Sequence, residues 1–222
     1  MTPPPPNRSP LDYLYEFSLK DSFETFQSEM TKAMLFPKKA HLRRYVVEEA
    51  IANAPRDGLW VEFGVAAGDG IRLIARIIES ADREITGFDS FEGLKEDWTG
   101  HHLGRIEGAF SQDGVLPKVP ANAHLVKGWV EDTLPGYLKD TGKTPFAFLH
   151  FDMDTYSPTK FALAAVKKRL KKGTVLLFDE LYGYPGWREH EYRALSEVLK
   201  PDSYRFLAFS REAVAIQMTK SP

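Results

Sequence analysis

The spacing of apolar residues divides the chain into two regimes. From Leu11 to about Asn53 they recur at steps of three and four: Leu11, Leu14 and Tyr15, then Phe23, Phe26 and Met30, then Leu42, Tyr45, Val46 and Ala50. That period predicts amphipathic helices, and Pro37 separates two of them. After Gly58 short, fully apolar runs alternate with helical stretches. Leu59-Trp60-Val61-Glu62-Phe63 ends at a glycine, and residues 71–80 follow with Ile71, Ile74, Ile77 and Ile78 on one face. Residues 84–89 predict a second strand, ending in Asp89. Residues 124–128 predict a third, followed by a helix over 131–139. Residues 146–152 predict a fourth, followed by a helix over 158–171 with Pro158 near its first turn. Residues 174–179 predict a fifth, with a helix over roughly 187–199, and 205–209 with 213–218 predict a closing hairpin.

Strands that are apolar throughout and alternate with amphipathic helices belong to parallel sheets covered on both faces. The expectation is an α/β, Rossmann-like fold: a mostly parallel seven-stranded sheet with helices on both faces and an N-terminal helical extension. Residues 1–10 (MTPPPPNRSP) predict an extended, disordered proline-rich tail. Residues 11–57 form the helical extension and 58–222 the main domain. Within it, the stretch around 95–120 has no clear period, and loops of that length are usually functional, lids in particular.

Bulk composition narrows the class. The 222 residues carry a formal net charge of −2, which gives no electrostatic footprint for nucleic acid or an anionic membrane. The basic run Lys167-Lys168-Arg169 with Lys171-Lys172 falls at the end of a predicted helix, where cations complement the dipole. Absence of cysteine excludes disulfides, a thiolate nucleophile and zinc–thiolate sites. No apolar stretch approaches the roughly 20 residues needed to span a bilayer, and no signal peptide is legible. A soluble, cytoplasmic protein is expected, with no nucleic-acid or membrane partner; the aromatic face of the N-terminal helices covers the site or makes a homodimer contact.

The first chemical signal is the turn Glu62-Phe63-Gly64-Val65-Ala66-Ala67-Gly68-Asp69-Gly70 between a strand and a helix. Glycines there let the backbone approach a ligand that a Cβ would block. The spacing departs from Gly-x-Gly-x-x-Gly, whose helix N-terminus receives a pyrophosphate. S-adenosylmethionine has no phosphate but carries an amino-acid end, which Glu62 and the loop amides suit. Asp89 lies 19 residues after Gly70, where a carboxylate accepts ribose hydroxyls in doubly wound folds. The alternative is a structural turn with a solvated Asp89.

Val61-Glu62-Phe63-Gly64-Val65, Gly87-Phe88-Asp89-Ser90-Phe91-Glu92-Gly93-Leu94, Phe151-Asp152-Met153-Asp154-Thr155-Tyr156 and the run from Gly173 through Phe178-Asp179-Glu180 occur in this order. Together they resemble the macrocin O-methyltransferase family, class I S-adenosylmethionine-dependent sugar O-methyltransferases, over about residues 58–218. The resemblance implies cofactor binding at Glu62, Gly64, Asp89 and Ser90, with Val65, Gly68 and Gly70 in the same loop. The stretch from Gly128-Trp129 onward resembles the family segment beside the adenine, which adds Gly128 and Trp129.

The second constellation is acidic: Asp152, Asp154, Asp179 and Glu180 end the fourth and fifth strands. Four carboxylates this close must be protonated, paired or bound to a cation, and oxygen-only ligands suit Mg²⁺. The resemblance implies the same. Asp152, Asp179 and Glu180 are assigned to a divalent metal and Asp154 to the catalytic base, with Asp152 the other candidate. The family has a second aspartate where Glu180 stands. The bland reading of these acids is helix capping and satisfaction of loop amides.

Several other residues flank this region without deciding it. His150 lies within an apolar strand and reads as a hydrogen-bonded core residue. His101 and His102 fall in the long loop, His190 near the last helix, and Trp98, Tyr182, Tyr184 and Trp187 suit either sugar stacking or lid packing. The expected activity is metal-assisted O-methylation of a hydroxyl on a small molecule, a carbohydrate or glycoside. Its rivals are a catechol-like acceptor, an NAD-dependent oxidoreductase and a non-catalytic cofactor-binding module.

Overall fold

The computed structural model describes residues 8–101 and 104–222. Residues 1–7 of the proline-rich start, and His102, lie outside the described residues. Helix α1 (Pro10–Met30) begins one residue before the apolar pattern predicts. Ser9 caps it: its Oγ accepts the Asp12 N–H at 3.4 Å, and the Asp12 carboxylate accepts the Ser9 N–H at 2.6 Å. A two-residue strand β1 (Met34–Leu35) and helix α2 (Lys39–Asn53) complete the extension.

Then follow β2 (Leu59–Phe63), α3 (Asp69–Ile78), β3 (Ile85–Asp89), β4 (Ala123–Lys127), α4 (Val130–Asp140), β5 (Phe146–Phe151), α5 (Tyr156–Val166) and β6 (Val175–Phe178). Helix α6 (Glu191–Val198) and the hairpin β7 (Tyr204–Ser210) with β8 (Ala213–Met218) close the chain. Trp187–Glu189 is a separate 3-10 turn, so the predicted helix over 187–199 is broken at His190, whose ψ of −120° is not helical. The basic run also falls in a 3-10 turn, Lys167–Arg169, after α5 has ended.

Among the described residues the sheet has eight strands in the order β1-β7-β8-β6-β5-β2-β3-β4, against the seven that the pattern predicts. The additional strand is β1, which pairs in parallel with β7 at one edge. Two residues are too short for a period-two pattern to register. β8 runs antiparallel to β6 and β7, and the other pairs are parallel. The α/β, mostly parallel class therefore holds.

Alternation along the strands builds two apolar layers. Val61, Phe63, Leu149, Phe151 and Phe178 pack with Leu134, Leu163 and Leu195 of α4, α5 and α6 on one face. Trp60, Phe148, Val175 and Leu177 pack with Leu42, Val46, Ile71 and Ile74 of α2 and α3 on the other. Helix α2 is thus a structural layer of the sheet, which places its polar residues near the strand ends. Chain order reverses between β2 and β5: β3 and β4 extend the sheet one way, β5 and β6 the other. Such a switch point is where open α/β sheets bind ligands, outside the carboxyl ends of the strands.

Helix α1 docks through an aromatic cluster: Phe26 meets Tyr182, Trp187 and Phe209 at centroid distances of 5.7, 5.7 and 5.9 Å. Burial pushes the phenols of Tyr182 and Tyr204 up to about 12, with nearby Glu212 acting on Tyr182 and Tyr192 and Glu29 on Tyr204. Both folded values lie above the ordinary value near 10. The stability held by the neutral phenols is therefore complete below pH 10 and is lost as pH rises toward 12. Thermal melts between pH 9 and 12 should show a falling midpoint, and Tyr182→Phe should shrink the fall.

Candidate active site

A cavity of about 450 Å³ opens at the switch point. Gly64, Val65 and Ala66 after β2, Asp89 and Ser90 after β3, Trp129 before α4, Asp152 and Asp154 after β5, and Glu180 after β6 all line it. Two crossings are tight. The Asp152 N–H donates to the Phe63 carbonyl at 2.8 Å, and the Gly64 N–H donates to the Phe88 carbonyl at 2.9 Å. Gly64 has φ +87°, and a Cβ built on it would lie 1.8 Å from the Asp152 carbonyl oxygen. Only glycine lets these strand ends meet.

Glu62, Gly68, Gly70 and Gly128 do not line the cavity. Glu62 is 1% exposed and lies beneath the turn. A Cβ on Gly70 would stand 3.0 Å from its carboxylate oxygens, so Gly70 lets α3 sit over Glu62. Asp89 organises the turn from the other side. Its Oδ2 accepts the amides of Val65 and Ala66, each at 2.7 Å, and its Oδ1 accepts that of Phe91 at 2.6 Å. Because each carboxylate oxygen has two lone pairs, Asp89 retains accepting capacity toward the cavity that it lines. Asp89→Ala leaves three amides without their acceptor. It is expected to lower stability by about 2 kcal/mol and to weaken nucleoside-ligand binding by at least about tenfold, read by thermal melting and calorimetry; Asp89→Asn should fall between.

The acids meet as the sequence places them. β5 ends at Phe151, one residue short of the predicted strand, so Asp152 and Asp154 follow it rather than continue it. Asp154 takes a left-handed conformation, φ 63°. One oxygen from each of Asp152, Asp154 and Glu180 falls within 4.8 Å of the others. Asp154 and Glu180 are 7% and 8% exposed. Burial, and then neighbouring negative charge, raises all three carboxyls: Asp152 to about 6, Asp154 and Glu180 well above the usual range.

Asp179 behaves differently. Its Oδ1 lies 2.6 Å from Arg43 Nη2 and 3.4 Å from His150 Nε2, and its Oδ2 accepts from Lys39 Nζ at 3.0 Å. Burial alone would push its carboxyl up, but the hydrogen bond from His150 and the charges of Arg43 and Lys39 hold it well below the usual range.

His150, fully buried, is the core residue its strand position predicts. Its cross-strand neighbour is Glu62, which takes Nδ1 at 3.0 Å while Asp179 takes Nε2. Burial disfavours the imidazolium, yet bonds to Asp179 and Glu62 outweigh it and raise the group to about 10. A hydrogen-bonded chain, Glu62–His150–Asp179, thus joins the floor of the glycine turn to the acids.

Among the flanking residues, His101 is buried against the cavity with its ring stacked 3.7 Å from Trp98, and Trp98 also lines the cavity. Tyr182, Tyr184 and Trp187 are buried outside the lining, where they pack the long loop and α1 against the sheet. His190 Nε2 lies 2.9 Å from the Thr99 carbonyl. The residues that sequence reasoning missed are Lys39, Arg43 and Glu212. The first two stand four apart on one face of α2, a basic pair that reads from sequence as a solvated helix surface.

A doubly wound sheet with a glycine turn, a strand-end aspartate and a cavity at its switch point is the arrangement in which nucleotide- and nucleoside-handling proteins bind their ligands. Within that class, a family model described as a methyltransferase domain matches residues 61–181. The chain belongs to this family and is a methyltransferase, and the resemblance read from the sequence holds at that level.

Among solved structures, the chain is similar to the calicheamicin methyltransferase CalS11 at 23% identity and TM-score 0.67, covering 95% of this chain and 94% of that one. A second structure, described as apo CalS11, a TDP-rhamnose 3'-O-methyltransferase of calicheamicin biosynthesis, matches at 24% identity and TM-score 0.60 over 95% and 96% of the two chains. The O-methyltransferase NovP matches at 24% identity and TM-score 0.57 over 82% and 80%. At these identities the likeness is one of fold. No curated protein matches the chain significantly. Among the described residues, no helix is long and apolar enough to cross a membrane.

Proposed function

We propose that the chain is an S-adenosylmethionine-dependent O-methyltransferase acting on a hydroxyl of a small molecule, a carbohydrate or glycoside, with a divalent cation at its carboxylates. The observation that carries this reading is the shared cavity: the glycine turn, Asp89 and Trp129 line one part, and Asp152, Asp154 and Glu180 line another. A cofactor and an acceptor placed there are neighbours, which supplies the proximity that group transfer needs. That the folds of CalS11 and NovP belong to proteins described as methyltransferases supports the O-methylation and carbohydrate parts of the reading.

For the cofactor, the amides and close backbone of Gly64, Val65 and Ala66 face its amino-acid end, Asp89 and Ser90 its ribose, and Trp129 its base. Glu62, Gly68, Gly70 and Gly128 act one layer back by shaping the turn. For the cation, the donor set fits a hard ion. Asp152, Asp154 and Glu180 offer oxygen only, their carboxyls crowd one another, and Glu180 Oε2 is buried without a well-aligned hydrogen-bond partner among the described residues. Asp179, assigned to the cation from the sequence, lies with Asp152 and His150 in a second group whose ligand atoms fall within 4.8 Å of one another, and its contacts with Arg43, Lys39 and His150 steady the set. When bound, a divalent ion lowers the pKa of a coordinated hydroxyl by several units. Asp154 would give one oxygen to the ion and keep the other to receive the hydroxyl proton; its burial keeps competing water away, and a cation beside it favours the ionised form this role needs.

Calorimetry with S-adenosylmethionine, S-adenosylhomocysteine and NAD tests the cofactor, and should show binding of the first two alone. Tight NAD binding with no response to S-adenosylmethionine would sink the reading. A methyl-transfer screen over sugars, glycosides and catechols, with and without chelator, tests acceptor and cation; catechol turnover without sugar turnover would replace the carbohydrate part.

A further inference from the structure

The N-terminal extension delivers two cations to the acids. Lys39, the first residue of α2, places Nζ 2.6 Å from Glu180 Oε1, 3.0 Å from Asp179 Oδ2 and 3.7 Å from Glu212 Oε2. Arg43, one turn later, places Nη2 2.6 Å from Asp179 Oδ1 and 3.5 Å from Asp152 Oδ2. Their roles differ. Arg43 leans chiefly on Asp179, whereas Lys39 lines the cavity and holds Glu180, one of the three residues that would take the cation. A divalent ion on Glu180 and an ammonium at hydrogen-bond distance from the same carboxylate repel strongly in so buried a place.

Helix α2 adds an independent observation. Its N-cap is Lys38, with no side-chain cap, so Lys38 and Lys39 both stand at the positive end of the helix dipole. The first turn is therefore held by the carboxylates that Lys39 reaches rather than by its own capping. The lysine's flexible four-carbon stem lets its ammonium swing out of the site.

We propose that Lys39 is a positioning residue that acts as the resident counter-cation of the site: a divalent ion displaces it from Glu180, so that loading the ion and anchoring the first turn of α2 compete. This rests on the cation reading above. Competition is reciprocal, so whatever holds Lys39 in place weakens the ion, and the ion loosens residues at the start of α2. The extension thereby sets the cation affinity of a site to which it contributes no ligand.

Mn²⁺ titration followed by electron paramagnetic resonance tests this on the full chain. Lys39→Met should bind Mn²⁺ at least about tenfold more tightly than the wild type, while Lys39→Arg, which keeps the charge, should stay within a few-fold of it. In the wild type, Mn²⁺ should speed amide exchange in the first turn of α2, a readout that needs no variant. Equal or weaker Mn²⁺ binding by folded Lys39→Met, or unchanged exchange in the wild type at Mn²⁺ saturation, overturns the proposal. If neither protein binds Mn²⁺ while both bind S-adenosylmethionine, the cation reading itself falls and takes this proposal with it.

Discussion

Gly64→Val is expected to cost at least about 3 kcal/mol of stability and to abolish ligand binding in whatever protein still folds. Two effects add. The residue sits at φ +87°, where a β-branched side chain is strained by about 1–3 kcal/mol. Its Cβ would also lie 1.8 Å from the Asp152 carbonyl oxygen and 3.2 Å from the Met153 nitrogen, both backbone atoms that no rotamer change can move. Relief requires the ends of β2 and β5 to separate, and those ends carry the glycine turn and Asp152. Gly104→Ala is the matched control: its φ is +54°, but nothing among the described residues lies within 4 Å of a Cβ there. That variant should lose only the conformational part, about 1 kcal/mol. For a chain of this length 1 kcal/mol corresponds to roughly 2–4 °C. Gly64→Val should therefore melt at least about 6 °C below the parent, and Gly104→Ala within about 4 °C of it; similar melting of the two would mean that the strand ends tolerate separation.

Asp152→Asn and Asp179→Asn are expected to fail in opposite ways although the two acids lie side by side. Asp179 is 4% exposed and faces Arg43, Lys39 and His150, so neutralising it leaves buried cations under-compensated. Breaking a buried pair from one side costs about 3–5 kcal/mol, and a lowered melting temperature should report it. Asp152, whose carboxyl is already raised to about 6 by burial and by Asp179, loses less on neutralisation. Its substitution should leave the melting temperature nearly unchanged. Methyl transfer should fall by at least about 100-fold, with the dissociation constant for S-adenosylmethionine within about threefold. Equal stability losses in the two variants would contradict the division between a steadying Asp179 and a cavity-lining Asp152.

Much of the fold was legible because it rests on local period. Apolar strands such as 59–63 and 146–151 and the isoleucine face of α3 have only one way to bury themselves, between two helical layers. β1 was not legible, since two residues carry no period and pair only because β7 presents an edge. Of the residues read from the sequence as cofactor-binding, Gly64, Val65, Asp89, Ser90 and Trp129 line the cavity, while Glu62, Gly68, Gly70 and Gly128 do not. A glycine pattern signals close backbone approach without saying whether a ligand or the chain itself is what approaches. Gly70, under which Glu62 is buried, is an instance of the second.

The sequence by itself determined the parallel sheet, the strand-end acids and the turn at Glu62–Gly70, because each depends on residues within a few positions of one another. Tertiary structure alone decided how the acids are shared out. Arg43, Lys39 and His150 gather at Asp179, Lys39 also reaches Glu180 and Arg43 also reaches Asp152, while Asp152, Asp154 and Glu180 line the cavity together. The partners of Asp179 lie 136, 140 and 29 residues away in the chain. Charge pairing acts through space at a few ångströms, and no local pattern records which distant helix will bring its cations to a strand end.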